Sequence, residues 1–398
     1  NIHLSVVMRE LIVLGNGADL ACGLRSKYRD FFRYRFNEIV KNNEYKLGKQ
    51  NDVFEQAKEY FDENINSLVK GAINGSRNFW DILFLSKNSD VTGNDYDWCN
   101  IESIIKNTTT DALHNDQYTW LKNLSSKYSI VINELVAQKW SKRTIITFLL
   151  NELKDFESSF AEYIRGEKIR SAEYQNEFSK MLKEISDLSS YFSNSAFAEA
   201  EFAEETVLSF NYSTSDDDNY VNNPNIREWI NIHGYVGVNN SLSNSNYEKP
   251  IFGIDSSDIS ENDPRIPFTK TFRVATEINN HLKPLPPKVD ALVFYGHSLS
   301  EADYSYFEAL FDLYNIYSSK VILCFYYGTY CISNVLDAEK RRKREMLNNQ
   351  LCKEITINIY NLLAHYGRSL RENHGENLFH RLLLEGRIHI IPREGDRK

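Results

Sequence analysis

Leu11-Ile12-Val13-Leu14 is followed directly by Gly15-Asn16-Gly17 and then by Ala18-Asp19-Leu20-Ala21. An unbroken apolar run of this length predicts a short strand buried on both faces, and such strands belong to parallel sheets covered by helices. The two glycines let the chain turn sharply into a helix. A strand, a tight turn and a helix in that order point to an α/β fold. The turn is expected to leave backbone N–H groups unpaired at the positive end of a helix dipole, which suits a phosphate or pyrophosphate. Gly23 adds a further place where backbone can come close. The spacing is G-x-G-x5-G and not the dinucleotide fingerprint G-x-G-x-x-G, so taken alone the turn is equally well a plain strand-to-helix connection.

The 398 residues, 42% of them hydrophobic, can bury one large core or two ordinary ones. NIHLSVV precedes Met8 and stays outside the fold argument. There is no run of eighteen apolar residues and no leader with a charged start and apolar centre. The expectation is a soluble, cytoplasmic protein with no membrane partner. The five cysteines are scattered and form no C-x-x-C pair, which suits a reducing compartment and gives no reason to expect a metal. A net charge of −9 argues against general nucleic-acid binding. The one basic run, Lys340 to Arg344, reads as a solvated helix face.

Helical spacing predicts an amphipathic helix over 52–69, and the polar stretch 87–97 reads as a loop leading to Trp98. A helix start follows at Ile101, with Glu102 read as a surface or structural residue rather than a carboxylate aimed at the glycine turn. From 117 to 203 the pattern is helical nearly throughout, most clearly at Phe178, Met181, Leu182, Ile185, Leu188 and Phe192. This block reads as a cover over the core, a lid or an oligomer contact. Strands are expected at 206–210, 229–232, 250–255, 289–295, 321–325 and 388–391. The fold expected is Rossmann-like: a mostly parallel sheet with helices on both faces and a large α-helical insertion. Its divisions are 8–50 and 205–330 for the core, 51–204 for the insertion, and 331–398 for a helical C-terminal segment.

Several of these strands end on small or polar residues. In open parallel sheets ligands bind beyond the carboxyl ends of the strands, so one cleft can collect the glycine turn, Asn211, His233-Gly234 and Gly296-His297-Ser298. The Asn211 amide can both donate to and accept from a sugar hydroxyl or a water, or simply bond its own turn. His233 suits a general base near neutral pH, or a buried hydrogen-bonding role. His297 reads as structural or ligand-contacting. Asp19 can bond a ribose hydroxyl or, more simply, cap the helix after the turn. No G-x-S-x-G elbow and no H-E-x-x-H is present.

The segments GNGADLACGL, SFNYS, NIHG, IFGID and YGHSLSEAD resemble the AbiH family of bacteriophage abortive-infection proteins and, more distantly, sirtuin-type NAD-binding domains. The resemblance runs from about Arg9 to Tyr327. It places Gly15, Gly17 and Gly23 on the glycines of the sirtuin cofactor loop and Asn211 on the asparagine of T-x-N-x-D. His233 and Gly234 fall on the catalytic histidine and its glycine, and Gly296 and Ser298 on the late G-x-S turn on the adenosine side. Four departures accompany it. No zinc ribbon can form, which argues against deacylation; the helical insertion has no sirtuin counterpart; Ser213 replaces the usual aspartate; and Ala18 stands where AbiH-like sequences tend to carry a bulky aromatic residue.

What the resemblance implies is an antiphage effector that binds NAD and hydrolyses its nicotinamide–ribose bond. Asn211 and His233 would be catalytic, with Gly15, Asn16, Gly17, Asp19, Gly23, Gly234, Asp255, Gly296, His297 and Ser298 around the nucleotide. Its partners would be NAD or a related nucleotide, a phage trigger of unknown kind and further copies of the chain. Two alternatives stand beside it. One is a module that senses NAD or ADP-ribose without turnover. The other is a ribonuclease toxin built on the R-x5-H spacing of Arg368 and His374.

Overall fold

A computed structural model describes residues 6–41, 53–89, 101–114, 127–138, 141–186, 188, 200–215, 218, 223–236, 249–257, 259–278, 282–333, 335–370 and 374–397. The chain divides into two compact units. One, the sheet unit, comprises 1–25, 167–248 and 278–398; the other, the helical unit, comprises 26–166 and 249–277.

The sheet unit is built on β1 (Val6–Leu14), β2 (Ala200–Ser209), β3 (Ile226–Asn231), β4 (Ala291–Tyr295), β5 (Ile322–Tyr330) and β6 (Ile388–Arg397). All neighbours are parallel and the order is β3-β2-β1-β4-β5-β6. This is the Rossmann-like α/β sheet expected, with its order reversing between β1 and β4. The period of two along each strand splits its side chains between two cores. Leu11, Val13, Leu292, Phe294, Leu323 and Phe325 face α10 (Tyr304–Leu313), α11 (Ala338–Ser369) and α12 (Leu378–Leu384). Ile12, Leu14, Val293, Tyr295 and Cys324 face α1 (Asn16–Ala21) and α8 (Tyr174–Ser186). Burial on both sides is why these strands read as continuous apolar runs.

The helical unit holds α2 (Tyr28–Lys41), α3 (Val53–Ile73), α4 (Phe79–Ser89), α5 (Ile101–His114), α6 (Lys127–Ala137), the greater part of α7 (Lys142–Arg170) and α9 (Lys270–Arg273). Phe31, Phe32, Phe84, Phe156, Phe160 and Phe252 form its aromatic core, with ring centroids 4.8 to 6.2 Å apart. These rings pack on one another, as expected of core residues rather than a stacking platform.

Several boundaries differ from the sequence reading. β1 begins at Val6, two residues before Met8. The pattern Phe178, Met181, Leu182, Ile185 does form a helix, α8, but its apolar face lies on the sheet, so it belongs to the core and not to the insertion. Residues 250–255 form no strand; a single bridge joins Ile254 to Thr269. Gly253 explains this, because a Cβ there would lie 2.7 Å from the Phe268 carbonyl, so the backbone approaches too closely for a regular ladder. The end of the chain is longer than a last short strand, since β6 completes the sheet edge beside β5. Glu102 pairs with Lys270 at 3.4 Å, a structural role, and Lys340 to Lys343 lie exposed on α11. Of the stretch 87–97 read as a loop, residues 87–89 continue α4 to its end, and 90–97, like Trp98 and Phe192, lie outside the described residues.

Candidate functional site

The strand register sets Leu14, Ser209, Asn231 and Tyr295 side by side at the carboxyl edge of β1 to β4. The candidate residues of this unit therefore leave the sheet along one rim, which includes the β1/β4 position where strand order reverses and α/β sheets take their ligands. Asp255 belongs to the helical unit, where its carboxylate accepts from the Ser257 N–H at 2.7 Å in a local turn.

On the β1/β4 side the rim is closed by backbone. The Gly15 N–H donates to the Tyr295 carbonyl (2.9 Å), the Gly17 N–H to the Gly296 carbonyl (2.7 Å) and the Ala18 N–H to the Gly15 carbonyl (3.0 Å). A Cβ on Gly15 would sit 2.4 Å from the His297 Cα, and one on Gly296 would sit 2.2 Å from the Ala18 nitrogen. The glycines are required because two turns touch main chain to main chain. Of the N–H groups expected to be unpaired here, those of Gly15, Gly17 and Ala18 are thus already bonded, and α1, at six residues, is about a turn and a half of helix. Gly23 also has another role: with φ +88° and nothing within 4 Å of its Cβ position, it ends α1. The Leu24 N–H reaches the Asp19 carbonyl and the Gly23 N–H the Leu20 carbonyl, the pattern of a Schellman stop. Asn16 and Ser298 are exposed.

His297 is fixed within its own turn. Its Nδ1 accepts from the Leu299 N–H (2.9 Å), which places the proton on Nε2, 3.4 Å from Asp303. Leu299 holds φ +54°, a left-handed conformation rare for a leucine, while its side chain is buried in the core. This supports the structural reading of His297.

The β2/β3 side is different. Ser209 Oγ accepts from the Asn211 N–H (3.1 Å), and Asn231 Nδ2 donates to the carbonyls of Asn211 (3.3 Å) and Thr214 (2.8 Å). The Val236 N–H donates to the Tyr212 carbonyl, tying the turn after β3 to the turn after β2. The backbone of Asn211 is held on several sides, yet both atoms of its carboxamide, 98% buried, have no hydrogen-bond partner among the described residues. His233, two residues past the end of β3 as Asn211 is past the end of β2, is buried as well, its ring edge-on to Phe210 (5.4 Å) and Tyr306 (5.1 Å). Phe210 also carries His297 (4.8 Å), so one phenyl ring brings both histidines together. Gly234, with φ +76°, makes the turn that follows.

Under this turn lies a buried polar network that the sequence did not reveal. Asp19 accepts from Tyr174 Oη (2.8 Å) and Ser213 Oγ (2.5 Å), so it neither caps α1 nor faces solvent. Lys168 Nζ donates to the Ser213 carbonyl (2.5 Å) and pairs with Asp218 (3.1 Å). Burial pushes the Asp19 carboxyl up to about 6, against the lowering effect of the Ser213 and Tyr174 hydroxyls and the Lys168 charge. Ser213 is thus the contact through which Asp19 reaches the loop. No local sequence pattern separates Tyr174 and Lys168 from the other aromatic residues and lysines of the chain.

Every candidate of the sheet unit up to Ser298 falls within residues 11–327, and that span matches the family described as Bacteriophage abortive infection AbiH. The chain belongs to the AbiH family. No protein of curated function and no solved structure matches it. Membership gives this AbiH protein a role in abortive infection by bacteriophage as its expected setting. Among the described residues no helix is long and apolar enough to cross a membrane, and no group of three or more His, Cys, Asp or Glu is placed to hold a metal ion. The Arg368 guanidinium lies 3.4 Å from His365 Nδ1, and the His374 side chain is 88% exposed beside Glu376.

Proposed function

We propose that this AbiH protein is a phage-defence effector that binds NAD at the carboxyl edge of its sheet and hydrolyses the nicotinamide–ribose bond. The observation that carries this reading is the Asn211 carboxamide, buried, fixed by its backbone and without a hydrogen-bond partner among the described residues, at the carboxyl end of β2, the strand beside the β1/β4 switch point. A buried polar group without a partner is costly, by about 1–3 kcal/mol, and is retained where something else bonds it. Gly15, Gly17 and Gly296 serve by letting two turns meet and form the floor of the rim, and Asn16, Gly234, His297 and Ser298 border it.

In the reaction Asn211 holds the water, or the ribose hydroxyl beside it. His233 takes the proton of that water as its oxygen bonds to the ribose carbon and the carbon–nitrogen bond to nicotinamide breaks. The electron pair of that bond leaves with nicotinamide, which departs neutral, and the proton passes from His233 to solvent. Asp19, Tyr174, Ser213 and Lys168 hold the loop in place beneath.

The test is the NAD level, by mass spectrometry, in phage-infected cells carrying the wild type, Asn211→Ala or His233→Ala. The reading expects a fall in the wild type alone. An unchanged level in the wild type with protection intact overturns it and favours a nucleotide sensor without turnover.

A further inference from the structure

Asn211 is not the only side chain at this rim with buried atoms left over. Oδ1 of Asn231 and Oγ1 of Thr214 also have no hydrogen-bond partner among the described residues, and both residues are fully buried. The three belong together, because the Asn231 Nδ2 donates to the carbonyls of the other two. Asn231 has therefore spent its donors on backbone and keeps its acceptor. Thr214 keeps a hydroxyl that both donates and accepts, and Asn211 keeps a full amide.

This set selects a kind of ligand group. It carries no charge, and the buried cation on the same loop, Lys168, is committed to Asp218 and the Ser213 carbonyl. Phosphate oxygens only accept at their ionised positions, so a phosphate would set its oxygens against the Asn211 and Asn231 carbonyl oxygens. An apolar group would leave all four atoms unbonded. A neutral group whose hydroxyls donate as well as accept satisfies them, and two adjacent hydroxyls match acceptors contributed by two separate amides. We infer that Asn231 and Thr214, with Asn211, form a subsite for the cis-diol of the second ribose, the one beyond the pyrophosphate from adenosine. The inference rests on the nucleotide reading of the rim and assigns to it the sugar end rather than the phosphate end.

Calorimetric titration of the full chain with ADP-ribose and with ADP tests it, since ADP lacks the second ribose. The wild type is expected to bind ADP-ribose about tenfold more tightly than ADP, the worth of one or two well-made neutral hydrogen bonds. Asn231→Leu and Thr214→Val are each expected to remove most of that margin while leaving the ADP affinity as it was. Thr214→Val keeps the side-chain shape, so it decides the matter if Asn231→Leu does not fold. A margin that survives Thr214→Val, or an equal fall for both ligands, overturns the subsite. A wild type that binds both ligands alike overturns the subsite and leaves nucleotide binding standing; one that binds neither overturns both.

Discussion

Arg273 in the helical unit and Asn211 in the sheet unit are both buried polar side chains, 1% and 2% exposed, with opposite surroundings. All five donors of the Arg273 guanidinium are used: Nη1 by Glu157 and the Phe252 carbonyl, Nη2 by Glu157 and Glu277, and Nε by Glu277. Glu157 in turn accepts from the Phe252 N–H. A saturated cluster of this kind ties α7 and α9 to the segment at Phe252 and has no bonding capacity left for a ligand. Asn211 is held just as firmly by its backbone, but its side chain bonds nothing among the described residues. What separates a stabilising buried polar group from a candidate functional one here is residual valence, not burial or charge.

The comparison can be broken most severely at Arg273. Arg273→Met leaves the buried Glu157 without its cation and Glu277 with Lys154 alone, and a loss of about 3–5 kcal/mol in denaturant unfolding is expected. Next in size is Asp19, whose charge is buried at a cost. Its folded value of about 6 lies above the ordinary 3.8, so the native state binds the proton more tightly than the unfolded chain does. Stability therefore falls as pH rises from about 4 to 6, by about 3 kcal/mol, and is level above that window. Glu205, pushed up to about 7 by its burial in β2, adds a fall of the same sign reaching to higher pH. Asp19→Asn should flatten its part of the profile, as read by melting temperature against pH; an unaltered profile would remove the charge from the account. Ala18→Phe, which puts a bulky aromatic residue into a fully buried position beside the Gly296 turn, is expected to cost about 1–3 kcal/mol. Smallest is Asn211→Leu, which replaces an unsatisfied amide by an apolar group of like size: folding stability should hold or rise by up to about 1 kcal/mol. A loss as large as that of Arg273→Met would show that Asn211 is structural.

Much of the frame was legible because burial on two faces writes itself into sequence. LIVL and ALVFY are apolar at every position since each residue meets one core or the other, and both lie in the central strands. The rim was legible too, because turn residues at strand ends stand out against apolar runs. What those residues do there was less so. Gly15 and Gly17 look alike whether a turn is made for a phosphate or for another turn, and only the partner, Gly296, distinguishes the two. Asp19, Tyr174, Ser213 and Lys168 meet from positions up to 194 residues apart, and no spacing within one segment announces such a meeting. Residual valence is still less visible, since Asn231 and Asn211 differ only in what their amides find in three dimensions.

The most direct test of the central claim is nicotinamide release from NAD by wild type and Asn211→Leu, compared in extracts of phage-infected cells after each has been shown to fold. The account predicts release by the wild type and its loss in Asn211→Leu at unchanged or improved stability. Release that survives the substitution, or a wild type that leaves NAD intact, contradicts it.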